Sequence, residues 1–136
     1  MSQANVEIVR RLYELWNGPR PAEALLPLFA QDVEYVNPPN AVEPGVRHGH
    51  DGFVAALASL DAAFDEYQHD LEELIDLGDR VLAWGTFRAR ATTGGLRYEQ
   101  TEAQIWTLRD GLITRLAWFH DRAEALEAAG LSESGS

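Results

Sequence analysis

YQHDLEELID LGD RVLAWGTFRARA TTGG LRYEQTEAQIWTLR DG LITRLAWFH, the stretch from Tyr67 to His120, decides the fold. Along it apolar and polar side chains alternate with period two, the spacing of a strand that buries one face. The runs Tyr67–Asp76, Arg80–Ala91, Leu96–Arg109 and Leu112–His120 are separated by Leu77-Gly78-Asp79, Thr93-Gly94-Gly95 and Asp110-Gly111, each a compact reversal signal. Three successive hairpin connections predict an antiparallel sheet. Glu72 and Glu73 cannot both face inward from a regular strand, so a bulge or a solvated edge is expected there.

Upstream, the period becomes helical. Val6, Val9, Tyr13 and Trp16 form one stripe of a helix from Val6 to Trp16, with Ile8, Leu12 and Leu15 beside it; Asn17, Gly18 and Pro19 stop it. Pro21 opens a second, short helix reaching Leu26 or Phe29, shortened or kinked by Pro27. Asp32–Asn37 reads as a strand ended by Pro38 and Pro39, and 40–50 as a loop over the surface or a pocket mouth. Phe53, Leu57, Leu60 and Phe64 mark a third helix. After the last strand, Asp121 with Glu124 starts a terminal helix that Gly130 closes. The order predicts one α+β domain over 1–131, with helices over the concave face of a curled antiparallel sheet, and a flexible tail over 132–136.

The 136 residues suffice to bury a core without staples. The chain has no cysteine, and all 11 of its basic residues are arginine. Thiol nucleophiles, disulfides, thiolate metal sites and Schiff-base lysines are therefore excluded. Against 22 acidic residues the net charge is -11, which disfavours nucleic acid and anionic membrane surfaces as partners. Without a basic leader or a long apolar run, the chain reads as cytoplasmic and not embedded in a membrane. His48 and His50 share no spacing with a third metal ligand, and neither metal nor cofactor is expected. Arg88, Arg90 and Arg97 are expected to form ion pairs or to solvate the outer sheet face.

Leu28–Tyr35, Asp76–Leu82, Trp106–Ile113 and the closing Asp121–Leu126 with Ala129-Gly130-Leu131 carry a resemblance to the nuclear-transport-factor-2-like superfamily, most closely to its SnoaL-like and ketosteroid-isomerase-like branch. The resemblance implies a cone, its sheet wrapped round the long first helix with an apolar cavity open at one end. It also implies a homodimer formed through the outer sheet face. In an ungapped comparison with ketosteroid isomerases, Tyr13 falls on the tyrosine that donates to the developing oxyanion, and Asn37 on the aspartate base. Gln104 falls where that family keeps a protonated aspartic acid. An amide at Asn37 cannot accept and return a proton, so the resemblance does not extend to ordinary ketosteroid isomerase chemistry. Tyr35-Val36-Asn37 matches the spacing with which limonene-epoxide-hydrolase-like members hold a water, but their carboxylates and arginine fall at about Gly85, Phe87 and Trp118. His69 lies roughly where scytalone-dehydratase-like members carry one of two working histidines.

If Gln104 faces inward, strand alternation sends Tyr98, Gln100, Glu102 and Trp106 with it, and by the same register Trp84, Leu116, Trp118 and His120 line the cone. Buried, Glu102 has to be protonated or paired with a histidine or arginine; otherwise the register is shifted by one or Glu102 lies at the wet rim. Tyr13 is either a pocket donor or a core tyrosine whose hydroxyl meets a backbone partner. Trp16, Trp84, Trp106 and Trp118 either stack on a flat ligand or fill the cone. The candidate catalytic set is Tyr13, His69, Glu102 and His120; the candidate ligand-binding set is Trp16, Tyr35, Asn37, Trp84, Gln104, Trp106 and Trp118. Two functions fit these residues. One is noncovalent proton transfer (isomerisation, cyclisation or dehydration) on a small apolar carbonyl or hydroxylated ring compound, and the other is non-catalytic binding of a small apolar organic molecule.

Overall fold

The chain forms, in order, α1 (Ser2–Trp16), α2 (Pro21–Leu25), a 3-10 turn (Leu26–Leu28), β1 (Phe29–Asn37), β2 (Gly45–His48), α3 (Gly49–Ala63), β3 (Phe64–Asp76), β4 (Arg80–Ala91), β5 (Arg97–Arg109), β6 (Leu112–Phe119) and α4 (Arg122–Ala128). The computed structural model describes residues 2–18, 21–37 and 45–130. Pro19, Pro38, Pro39, residues 40–44 of the expected loop and the tail from Leu131 onward lie outside the described residues.

One six-stranded sheet, curved and unclosed, has the order β2-β1-β6-β5-β4-β3. Strands β3 to β6 form the antiparallel meander that the alternation predicts, and β1 joins it parallel to β6. Asp110 and Gly111 both take positive φ, 54° and 80°, at the turn that reverses β5 into β6. Between Leu71 and Glu73 the β3–β4 register shifts, and both Glu72 and Glu73 are exposed. Just there β3 crosses close over β4: a Cβ on Gly85 would stand 2.1 Å from the Asp70 carbonyl oxygen, so only glycine fits.

Strand β2 differs from the expected loop. Its four residues pair antiparallel with β1, from Glu34 opposite His48 to Asn37 opposite Gly45, and four residues are too few to display an alternation in sequence. Pro27 ends α2 by diverting the chain into the 3-10 turn. Phe64, read as the last residue of the third helix, instead begins β3; its N–H bonds the Leu60 carbonyl and closes α3.

The main core lies between the inner sheet face and the first three helices. Val9, Leu12, Tyr13 and Trp16 of α1 pack with Leu25, Phe53 and Leu57 against Val81, Ala83, Trp106 and Leu116. Helix α4, capped by Asp121 accepting from the Glu124 N–H at 2.8 Å, sits on the opposite face, where Ala125, Leu126 and Ala129 cover Leu82, Ala103 and Ile105. This placement corrects the expectation for Trp84. It pairs with Ala103, one residue out of phase with Gln104, so it joins the α4 cluster, beneath the Arg122 guanidinium, and leaves the cone wall.

Candidate functional site

Strand β5 carries the inner face from sealed core to open mouth. Exposure along it rises from 0% at Trp106 to 3% at Gln104, 9% at Glu102 and 45% at Tyr98. The polar residues thus stand where packing gives way to a cavity of about 520 Å³, a volume suited to a small organic molecule. Its walls include Trp16 from α1, Tyr35 and Asn37 from β1, His69 from β3, Glu102 and Gln104 from β5, and Trp118 and His120 at the end of β6. Leu60 of α3, Phe64 and Phe87 supply apolar surface.

A hydrogen-bond chain runs from the core to this cavity, and its direction is set at the buried end. The indole of Trp106 can only donate, and its Nε1–H reaches the Tyr13 hydroxyl oxygen at 3.2 Å. Tyr13 therefore gives its own proton elsewhere, to Gln104 Oε1. That contact orients the amide so that Gln104 Nε2 donates to Glu102 Oε1 at 2.9 Å. With the amide flipped, the Tyr13 proton would have no acceptor and two oxygens would face each other. Glu102 Oε2 lies 2.7 Å from His69 Nδ1. Between a carboxylate and an imidazole the proton resides on nitrogen, so Nδ1–H donates to Glu102, and in the neutral ring Nε2 keeps a lone pair.

That Nε2 is buried and has no hydrogen-bond partner among the described residues. His69 itself is held from three sides. Its ring stacks on Trp16, centroids 3.7 Å apart and planes at 28°, while Glu102 fixes Nδ1. The Asn17 side chain grips the His69 backbone, accepting from its N–H and donating to its carbonyl, both at 2.8 Å. Asn17 was legible only as a helix stop; in the folded chain it ties the edge strand β3 to the end of α1.

Of the candidate catalytic residues, the structure brings His69 and Glu102 into direct contact, as a buried glutamate requires. Tyr13 is placed differently from a pocket donor. It is 4% exposed, its hydroxyl is engaged by Trp106 and Gln104, and it lies behind the cavity wall. Burial above all, and then the charge of Glu102, push its hydroxyl well above the ordinary tyrosine range. Trp106 likewise fills the core and does not line the cavity. His120 lines it just beyond Trp118, which pairs with Gln104 across β5 and β6; its ring stands edge-on to Trp118 at 5.0 Å, and its Nδ1 has no partner among the described residues. Asn37 Oδ1 accepts from Trp118 Nε1 at 2.6 Å, which ties the amide to the wall. Tyr35 stays a neutral donor, because burial and then Glu102 raise its hydroxyl far above the usual value.

Sequence reasoning missed Arg47, which enters the wall from β2, and Ser59, Phe64 and Phe87. The only signal for Arg47 was one basic residue in a segment read as loop. No group of three or more histidine, aspartate or glutamate side chains among the described residues is placed to hold a metal ion.

The chain matches the SnoaL-like domain over residues 9–116. It is 35% identical over 127 residues to an uncharacterised protein of Mycobacterium tuberculosis strain H37Rv, an alignment covering 92% of this chain and 95% of that one. A nuclear-transport-factor-2-like protein of unknown function from Burkholderia pseudomallei superposes with a TM-score of 0.78 at 25% identity, covering 91% of this chain and 95% of that one. TerC, co-crystallised with polyporic acid, superposes with a TM-score of 0.76 at 27% identity, covering 94% of this chain and 97% of its own.

Proposed function

The chain belongs to the SnoaL-like domain family, and from that premise we propose that its cavity takes a small, largely apolar ring compound and moves a proton on it without a covalent intermediate. The observation that carries the proposal is the 2.7 Å contact of Glu102 with Nδ1 of His69, a cavity-lining residue whose opposite ring nitrogen is buried and has no partner among the described residues. His69 is the general base. Glu102 holds its tautomer and stabilises the imidazolium that forms. Gln104 and Tyr13 are positioning residues, acting through Glu102, whereas Tyr35 is a neutral donor to a ligand oxygen. Isomerisation, cyclisation and dehydration all need this step. The co-crystal of TerC with polyporic acid supports a small organic molecule as the ligand here.

A flat ketone tests the reading. Hydrogen–deuterium exchange at the carbon beside the carbonyl of 2-tetralone, followed by NMR, is expected to run about a hundredfold faster with the protein than in buffer, and to return to the buffer rate with His69→Gln. Binding of the ketone without acceleration would reject catalysis and leave a binding protein, the second reading, which the apolar wall of Leu60, Phe64 and Phe87 favours.

Homodimerisation through the outer face of β3 to β5 belongs to the same proposal. Light scattering at micromolar concentration that returns the mass of one chain would reject it.

A further inference from the structure

The cavity wall carries two opposite charges, set well apart. Glu102 stands on β5, bonded to His69, and Arg47 stands on β2, three strands away across β6 and β1. At the usual spacing of neighbouring strands that is about 14 Å along the sheet. Among the described residues Arg47 is the one arginine of the cavity wall, in a chain whose net charge is -11.

Three observations place the Arg47 side chain on the inner face. It stands opposite Tyr35 in the β1–β2 register, and residues opposite each other in a ladder project to the same face. Tyr35 in turn stands opposite Leu116, which is buried on the inner face and lines the cavity. Arg47 is also partly buried, whereas its neighbours Val46 and His48 are exposed. Finally, a Cβ on Gly52 would stand 3.1 Å from the Arg47 Cβ, so α3 rests against the root of this side chain and only the missing Cβ lets it come so close. Beyond burial, the largest effect, Glu102 raises and Arg47 lowers the pKa of Tyr35, whose hydroxyl therefore lies in the field of both charges.

We propose that the cavity takes a ring compound bearing a carboxylate, with the carboxylate held by the Arg47 guanidinium and the ring laid along the apolar wall toward β5. The inference rests on the reading of the cavity as a ligand site and narrows its ligand class. A guanidinium has five N–H donors in a planar fork, so a contact within the protein does not exhaust it, and the fork matches the two oxygens of a carboxylate. A dianionic phosphate would bring a second charge with no second arginine in the described wall to balance it. An ammonium would meet Arg47 as a like charge, and the Glu102 oxygens are already engaged by His69 and Gln104. Glu102 repels a carboxylate from its own side of the cavity. The two charges thus select one orientation, with the acid group toward β2 and the opposite edge of the ring toward Glu102 and His69. Arg47 is a specificity-determining residue in this arrangement and takes no part in moving the proton.

Three probes of one shape test this: 2-naphthoate, 2-naphthamide and naphthalene, titrated calorimetrically and by NMR at neutral pH. Naphthoate is expected to bind about tenfold more tightly than the amide, which has the same outline without the charge. With Arg47→Gln that ratio is expected to fall to about one or below, since Glu102 then faces the anion alone, while Arg47→Lys, which keeps the charge and loses the fork, should retain a severalfold preference. In the unmodified protein, naphthoate but not naphthamide should move the Arg47 Nε–H proton signal downfield, a readout independent of how well any variant folds. An amide that binds at least as tightly as the acid, a preference that survives Arg47→Gln, or an unmoved Arg47 signal overturns the carboxylate assignment and leaves the cavity reading intact. Failure of all three probes and of 2-tetralone to bind overturns both.

Discussion

Strands β3, β4 and β5 show opposite chemistry on their two faces, although residues of each face alternate along the same backbone. On the outer face Arg88 pairs with Asp70 and Glu99, Arg90 with Asp65 at 2.8 Å, and Arg97 with Glu66 at 3.3 Å, all in water. On the inner face one carboxylate and one imidazole share a hydrogen bond within a nearly dry wall. Many charges outside are weakly coupled, because water screens them and they can find other partners. Inside, Glu102 accepts from both His69 and Gln104, and each of these contacts is buried. The difference teaches that this chain concentrates its electrostatic consequences in the residues that contact the cavity, while most of its large net charge only keeps the exterior hydrated.

The comparison can be broken most forcefully at Glu102. Glu102→Ala strands the His69 Nδ1–H and the Gln104 amide together, and is expected to cost about 3–5 kcal/mol in urea unfolding, the range for removing one partner of a buried pair. A loss no larger than that of an outer-face variant would erase the distinction. Tyr13→Phe comes next: it leaves Trp106 Nε1–H and Gln104 Oε1 without their partner in the core, for about 1–3 kcal/mol by the same measurement. It should also lower proton exchange on 2-tetralone, because Gln104 is freed to turn away from Glu102.

Alkaline pH probes the inner face without a mutation. Tyr13 and Tyr35 hold their protons in the folded chain above the ordinary tyrosine value of 10.0, whereas the unfolded chain releases them there. The unfolded state then binds fewer protons than the folded one, so these groups leave stability unchanged below about pH 10 and reduce it as the pH rises further. Tyrosinate absorbance should therefore lag in the native protein and jump on unfolding. The smallest effect belongs to the outer face. Arg90 holds the Asp65 carboxyl below its usual range, a contribution present at neutral pH and lost as the pH falls through the acid range. Asp65→Asn is expected to leave the neutral-pH urea midpoint within experimental scatter.

The meander was legible because each strand from β3 to β6 is long enough to show its alternation and each turn carries its own residues, down to the positive φ at Asp110 and Gly111. That an inward Glu102 needs a proton or a partner was legible too, whereas its inward register and the choice of His69 come from the fold. Trp84 was misplaced because its phase relative to Gln104 depends on the pairing between two strands, which neither strand records by itself. Tyr13 stayed open between pocket donor and core tyrosine for a related reason. A helical stripe indicates which residues face the sheet, but depth along the cone is fixed by packing, here by Trp16 one turn further on, which occupies the wall in its stead. Asn17 and Arg47 act through contacts distant in sequence or from a strand of four residues, and neither leaves a local pattern.

The central claim is the direction of the chain from Trp106 to His69, and nitrogen NMR of the labelled histidines reads it directly. With the His69 resonances assigned through His69→Gln, and the ring in its neutral form, the hydrogen-bond direction predicts a protonated Nδ1 and a bare, pyridine-like Nε2. A protonated Nε2 with a bare Nδ1 would mean that His69 offers the cavity a donor in place of a base, and would contradict the proposed chemistry at its first step.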